Sequence, residues 1–125
     1  MGLANSFREL IVYQKAYSLA MEIFSVTGTF PKEEKYSLVD QIRRSSRSIT
    51  SNISESWARK SYIKSFVNKL TDSPGEEYET ETWLDYSKDC NYITSEKHQE
   101  LMNGYDEVRK MLISIINNPE KWCRF

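Results

Sequence analysis

Apolar residues return every three or four positions along most of this chain. In the first stretch Leu10, Tyr13, Ala16, Tyr17, Ala20, Ile23 and Phe24 do so, which aligns them on one side of a helix. The pattern predicts a helix over about 6–27. Val12 and Leu19 widen its apolar arc to roughly half the circumference, at about 100° per residue. A surface helix needs less. The excess predicts burial on two sides, the second against another subunit. Gly28 and Pro31 in "TGTFPK" end the segment.

A second helix is predicted over about 32–57. Glu33 and Glu34 stand in its first turn, where acids suit the positive end of the helix dipole. Leu38, Val39, Ile42, Ile49, Ile53 and Trp57 fall within an arc of about 100°. Ser45 and Ser46 lie in or beside that arc, and small residues there let another helix come close. Arg43, Arg44 and Arg47 project from the opposite side.

The third segment, about 61–90, begins with an apolar stripe of Ile63, Phe66, Val67 and Leu70. After "TDSPGEE" the stripe changes phase to Trp83, Tyr86 and Cys90. Pro74 removes a backbone donor and crowds the preceding turn, and Gly75 adds freedom. Two readings follow: one long helix kinked near Pro74, or two helices joined by a turn. The kink is favoured. Extending the later stripe back by four residues reaches Glu79, an acid that needs a partner if its face is buried.

A fourth helix is predicted over about 95–117, with Leu101, Tyr105, Val108, Leu112 and Ile115 as its stripe and Met111 and Ile116 beside it. Asn117, Asn118 and Pro119 end it. The aromatic tail "EKWCRF" is expected to be docked or bound to a partner. Nothing alternates with period two and no repeat is present. Four helices of this length, each spanning roughly 30–38 Å, form an all-α, antiparallel up-and-down four-helix bundle. The 125 residues make a single domain.

Composition narrows the chemistry. The chain is 39% apolar and 28% charged, as in a soluble globular protein. Its net charge of -1 excludes a broadly basic nucleic-acid binder, so any such role rests on a local patch. Cys90 and Cys123 are too few for a disulfide framework, and no C-x-x-C pair points to zinc. They read as reduced thiols of a cytoplasmic protein. The start, "MGLANSFREL", has no apolar signal-peptide core. It matches a loose myristoylation pattern at Gly2 without polybasic support. No stretch reaches the ~18 apolar residues of a membrane span.

No complete catalytic constellation is present. A di-iron bundle needs two Glu-x-x-His pairs, and the one histidine, His98, has Ser95 three residues before it. A Ser-His-Asp arrangement would have to use the same His98, which reads as a partly buried structural residue. A helical ribonuclease of the Arg-x(4–6)-His type needs an arginine where this chain has Asn91, Tyr92 and Ile93. Glu76, Glu77, Glu79 and Glu81 could offer oxygens to a divalent cation, but read as a solvated acidic helix start. We expect no enzyme activity, cofactor or metal. The basic cluster is the better lead. Arg43, Arg44 and Arg47 share one face, and Arg59, Lys60 and Lys64 follow. Guanidinium forks suit phosphates. Asp40, one turn earlier, accounts for part of the cluster through ion pairs within the helix. The other reading is a solvated or subunit-contacting face.

These features coincide in order with a known family. Phe7, Leu10, Val12, Tyr13, Gln14 and Ala16 open the match. Phe30, Pro31, Glu34 and Tyr36 follow, then Gln41, Ile42, Arg43 and Arg44, then Ser51, Asn52, Ile53 and Glu55. Together with "ETETWLDYSKDCNYI" they resemble the four-helix-bundle proteins encoded in intervening sequences of bacterial 23S ribosomal RNA genes, over roughly residues 6–118. The resemblance implies a ring-like homopentamer and kinship with the nucleic-acid-binding accessory proteins of diversity-generating retroelements. This chain departs from the family pattern at Ser56, where glycine is common, and at Pro74-Gly75. It also lacks the marked basicity of the retroelement proteins. Gln41, Ser45, Ser48 and Asn52 line one edge of the second helix, and with Glu79 they are expected to form a polar seam with the third. The reading is a non-enzymatic oligomeric interaction module linked to RNA or a ribonucleoprotein. The alternative is a nucleic-acid-binding accessory protein.

Overall fold

The structure is a computed structural model and describes residues 4–122. A short turn at Phe7–Glu9 comes first. Its Ser6 hydroxyl accepts the Arg8 N–H at 3.2 Å. Leu10 is then extended (φ -70°, ψ 127°), so helix α1 starts at Ile11 and runs to Thr27. Its buried face is Val12, Ala16, Leu19, Ile23 and Thr27. The expected stripe is therefore rotated. Val12 and Leu19, read as its margin, lie at its centre, while Tyr17 and Phe24 are 52% and 45% exposed. The cause is close packing against the last helix. A Cβ added at Gly104 would lie 2.7 Å from Leu19 Cδ2, and a backbone that near favours slim aliphatic side chains over rings.

Helix α2 spans Leu38–Trp57, six residues shorter at its start than the periodicity predicts. A turn at Lys32–Glu34 precedes it, and Ser37 (φ -125°, ψ -97°) separates the two. Glu34 therefore anchors the connection instead of capping a helix dipole. Its carboxylate accepts the Ser37 hydroxyl at 2.7 Å and the Tyr92 hydroxyl at 2.8 Å. These two bonds hold it below the usual carboxylate range, and the Glu34 carboxylate pushes the Tyr92 phenol up to about 12.

The third segment is two consecutive pieces, α3 (Ile63–Leu70) and α4 (Asp72–Asp89). The interruption falls at Thr71, one turn before Pro74. The proline has no N–H to give the Leu70 carbonyl four residues back, and its ring crowds that carbonyl. Thr71 keeps helical angles (φ -64°, ψ -14°) and donates its N–H to Val67 O at 2.9 Å, so the chain bends without turning back. Helix α4 ends in a left-handed residue, Asn91 (φ 61°). The Tyr92 and Asn91 N–H groups then bond the Ser87 and Lys88 carbonyls at 2.8 and 2.9 Å, which stops the helix and satisfies its last carbonyls. Helix α5, Ser95–Asn117, is capped by Thr94, whose hydroxyl accepts the Lys97 N–H at 3.0 Å.

Helix α1 packs on α2 and α5, and α4 packs on the same two helices. The four therefore form a square in which α1 and α4 stand diagonally opposite. The aliphatic core combines the α1 face with Ile42, Ile49 and Ile53 of α2 and with Leu101, Val108, Leu112 and Ile115 of α5. Trp122, near the described end of the chain, packs against this core beside Leu10, Phe66 and Ile115. Gly2 and Cys123 lie outside the described residues. No described helix is long and apolar enough to cross a membrane.

Candidate functional site

Helix α4 buries Ser73, Glu77, Thr80, Leu84 and Ser87. Only one of the five is aliphatic. The face expected from the sequence is displaced: Tyr86 is 56% exposed, Cys90 is exposed and Trp83 is only partly covered. Opposite it, α2 buries Ser45, Asn52 and Ser56. Small side chains bring these two helices together, and hydroxyls replace aliphatic contacts between them. Ser45 and Thr80 share a hydrogen bond of 2.8 Å, and the Ser73 hydroxyl donates to Ile49 O at 3.1 Å. Each hydroxyl thus has a partner, as burial requires.

This seam includes Ser45 and Asn52 but not Glu79. Gln41 and Ser48 are half-buried at its outer edge. Glu79 lies outside, where it accepts a bond from the Arg44 guanidinium and another from Trp83 Nε1 at 3.2 Å. The acid in the interior is Glu77, with no exposed surface. Its Oε1 lies 3.2 Å from Arg109 Nη1, and its Oε2 is buried without a partner. Glu81 and Asp106 also bond Arg109. Burial and the neighbouring Glu81 carboxylate raise the Glu77 carboxyl to about 8, against the pull of Arg109. The acidic run is therefore not a solvated helix start, since Glu76, Glu77, Glu79 and Glu81 all lie beside Arg44 or Arg109. The apolar periodicity conceals this, because the buried face is out of phase with the aromatic residues. The i, i+4, i+7 series Ser73, Glu77, Thr80 carries the signal instead.

The arginines of α2 do not act as one face. Arg43 leans toward α1: its Nε donates to Thr27 Oγ1 at 2.9 Å and its Nη2 to Phe24 O at 3.1 Å. Its guanidinium also covers the Phe24 ring, 4.5 Å from the centroid. Arg44 leans the other way, to Glu79 and Glu76. Arg47 is exposed between them, 5.8 Å from the Phe24 ring centre. The three line a shallow open recess with Asp40, Ser48 and Ser51. Asp40 is the one acid among the residues that line it, and Glu76 and Glu79 pair with Arg44. Arg59 and Lys64 are exposed and Lys60 lies over the Trp57 ring at 4.1 Å. Arg59 and Lys60 follow the C-terminal end of α2 and Lys64 stands in the first turn of α3, and the end of α2 is roughly 15 Å from Arg47 at 1.5 Å per residue. The six basic residues thus form two separate groups. His98 is partly buried at the α4–α5 corner, where Nε2 meets Asp85 Oδ1 at 2.8 Å.

A further surface feature is on α1. Ile11, Tyr17, Met21 and Phe24 are each about half exposed. Tyr17, Met21 and Phe24 recur at helical spacing beside Tyr13, and the Tyr13 and Tyr17 rings touch at 5.9 Å. The stripe borders Arg43 and Arg47 through Phe24. Aromatic, methionine and arginine side chains at one place are the composition of a protein interface core.

The comparisons agree with this architecture. The family model of the 23S rRNA-intervening sequence protein matches residues 8–114. The chain belongs to that family. A solved structure from Bacteroides thetaiotaomicron, described as a protein with unknown function from the S23 ribosomal protein family, is 33% identical and has a TM-score of 0.76. The match covers 86% of this chain and 96% of that one. Among curated proteins none matches significantly.

Proposed function

We propose that this member of the 23S rRNA-intervening sequence family is a non-enzymatic oligomeric interaction module, an adaptor toward RNA or a ribonucleoprotein. One observation carries the reading: the half-exposed stripe of Tyr17, Met21 and Phe24 on α1, edged by the Arg43 and Arg47 guanidinium groups. A contiguous aromatic stripe on a small domain favours burial against a partner. Its alignment along one helix suits repeated side-by-side packing of identical copies, which closes into a ring when the rotation between neighbours is constant. A ring-like homopentamer is the assembly we favour. The test is the double variant M21E/F24E, read by light scattering. It should dissociate the oligomer while circular dichroism stays helical. An oligomer unchanged by two buried charges would place the contact elsewhere.

The second reading is a nucleic-acid-binding accessory protein. Exposed Arg47, with exposed Arg59 after α2 and Lys64 at the start of α3, favours it. In that case single-stranded RNA binding falls steeply with salt, and the charge reversals R47E and R59E each reduce the slope by about one. Binding that ignores both substitutions would remove these residues from the interface.

A further inference from the structure

Three carboxylates converge on one guanidinium in the α4–α5 contact. Glu77, Glu81 and Asp106 all bond Arg109. Lys110 offsets Asp106 at 2.9 Å from the solvent side. That leaves Glu77 and Glu81 facing a single positive charge. Their accessibility differs sharply: the Glu81 side chain is 20% exposed and Glu77 is not exposed at all. Two ionised carboxylates on one arginine leave an unbalanced buried charge, which a low-dielectric interior penalises heavily. A bound proton removes it. Glu77 Oε2, buried and without a partner, is the oxygen with room for that proton.

We propose that Glu77 and Glu81 bind one proton between them on the Arg109 fork, which makes the α4–α5 contact a proton-linked fastener. The groups around the pair are consistent with this. From α5, Tyr105 presents a fully buried hydroxyl without a partner, a neutral phenol that adds no compensating charge. From α4, Glu76 adds a further carboxylate, with Oε1 buried. Arg44 of α2 is engaged by Glu76 and Glu79. Glu22 of α1 is held by Lys97 at 3.4 Å. Within this set Arg109 is the one cation bonded to Glu77.

The direction of the pH effect follows from linkage. An unfolded chain releases this proton near the ordinary value of 4.5, whereas the folded chain holds it to about 8. The native state therefore binds more protons across that window. Its stability is full below 4.5 and declines as pH rises to about 8. Two measurements test this. The first is urea unfolding of the whole chain from pH 5 to 9, for wild type and E77Q. Glutamine mimics the protonated acid and cannot ionise. Wild type should lose up to about tenfold in its folding constant per pH unit relative to E77Q. Parallel profiles would overturn the proposal.

The second measurement holds even if E77Q does not fold: infrared spectroscopy of the wild type at pH 7. A neutral carboxylic acid band should be present, persist in E79Q, and titrate at lower pH in E81Q. A spectrum with carboxylates alone would overturn the bound proton. A band whose titration E81Q leaves unmoved would overturn its sharing with Glu81.

Discussion

Helices α1 and α4 occupy opposite corners of the same square bundle, yet they bury different chemistry. Helix α1 turns Val12, Ala16, Leu19 and Ile23 inward. Helix α4 turns in Ser73, Glu77, Thr80 and Ser87, with Leu84 its one aliphatic residue. On the α1 side, apolar burial drives association and Gly104 sets how near α5 can come. On the α4 side, small hydroxyls allow the same closeness and the driving force is weaker. Specific bonds fix the register there: Ser45 to Thr80, Ser73 to Ile49 O, and Glu77 to Arg109. One half of the bundle is held by area, the other by direction. Directional contacts fail more abruptly when a single partner is lost.

That contrast can be broken at either end. The largest effect is expected on the directional side. Replacing Arg109 with Met strands the buried Glu77 carboxylate beside Glu81 and should cost about 3–5 kcal/mol at pH 9, above the pH to which Glu77 keeps its proton. The loss should shrink at pH 5, where Glu77 stays protonated whether or not the arginine is present. Urea unfolding at both pH values checks this, and an equal loss at both would remove the charge argument. On the apolar side, Leu112→Ala truncates a fully buried side chain. It should cost roughly 2–4 kcal/mol, with little change between pH 5 and 8. The pair of variants thus separates the two halves by pH dependence more than by size.

Smaller effects sharpen the comparison. Ser45→Ala removes the Ser45–Thr80 bond, leaves the Thr80 hydroxyl only its bond to Glu76 O, and should cost about 1 kcal/mol. Combining it with Thr80→Val should recover part of that loss, because the apolar pair leaves nothing unsatisfied. A double-mutant cycle in urea measures the coupling, and strict additivity would contradict a shared bond. Arg44→Ala is expected to be the mildest. The Arg44 side chain is half exposed, and exposed ion pairs contribute only about 0–1 kcal/mol. A larger loss would mean that Arg44 supports the seam as well as its edge.

The same division explains what could be read from sequence. The α5 helix and its stripe of Leu101, Tyr105, Val108, Leu112 and Ile115 were legible because an apolar face repeats without interruption. The α4 face was not. Its interior positions carry Ser, Thr and Glu, which hydropathy assigns to solvent, while its exposed Tyr78 and Tyr86 suggest the wrong phase. Helix α1 was misread more mildly. Its apolar arc covers roughly half the circumference, and only the tertiary approach of Gly104 selects the aliphatic side. Of the expected seam, Ser45 and Asn52 are buried on α2, while Glu79 lies outside, two residues from the buried Glu77. The arginines lie on α2, and the partners of Arg43 and Arg44 come from α1 and α4. A helical wheel shows where Arg43 and Arg44 point. It cannot show that Phe24 meets the first and Glu79 the second.

The family and the bundle explain the fold, and the exposed α1 stripe is the feature that most needs a partner. The mass of the purified, nuclease-treated protein in solution is the direct test. An oligomer, with a ring of five times the 14.7 kDa of one chain favoured, is the predicted result. A species of 14.7 kDa at every concentration would contradict the interaction-module account, because Tyr17, Met21 and Phe24 would then remain open to water in the working protein.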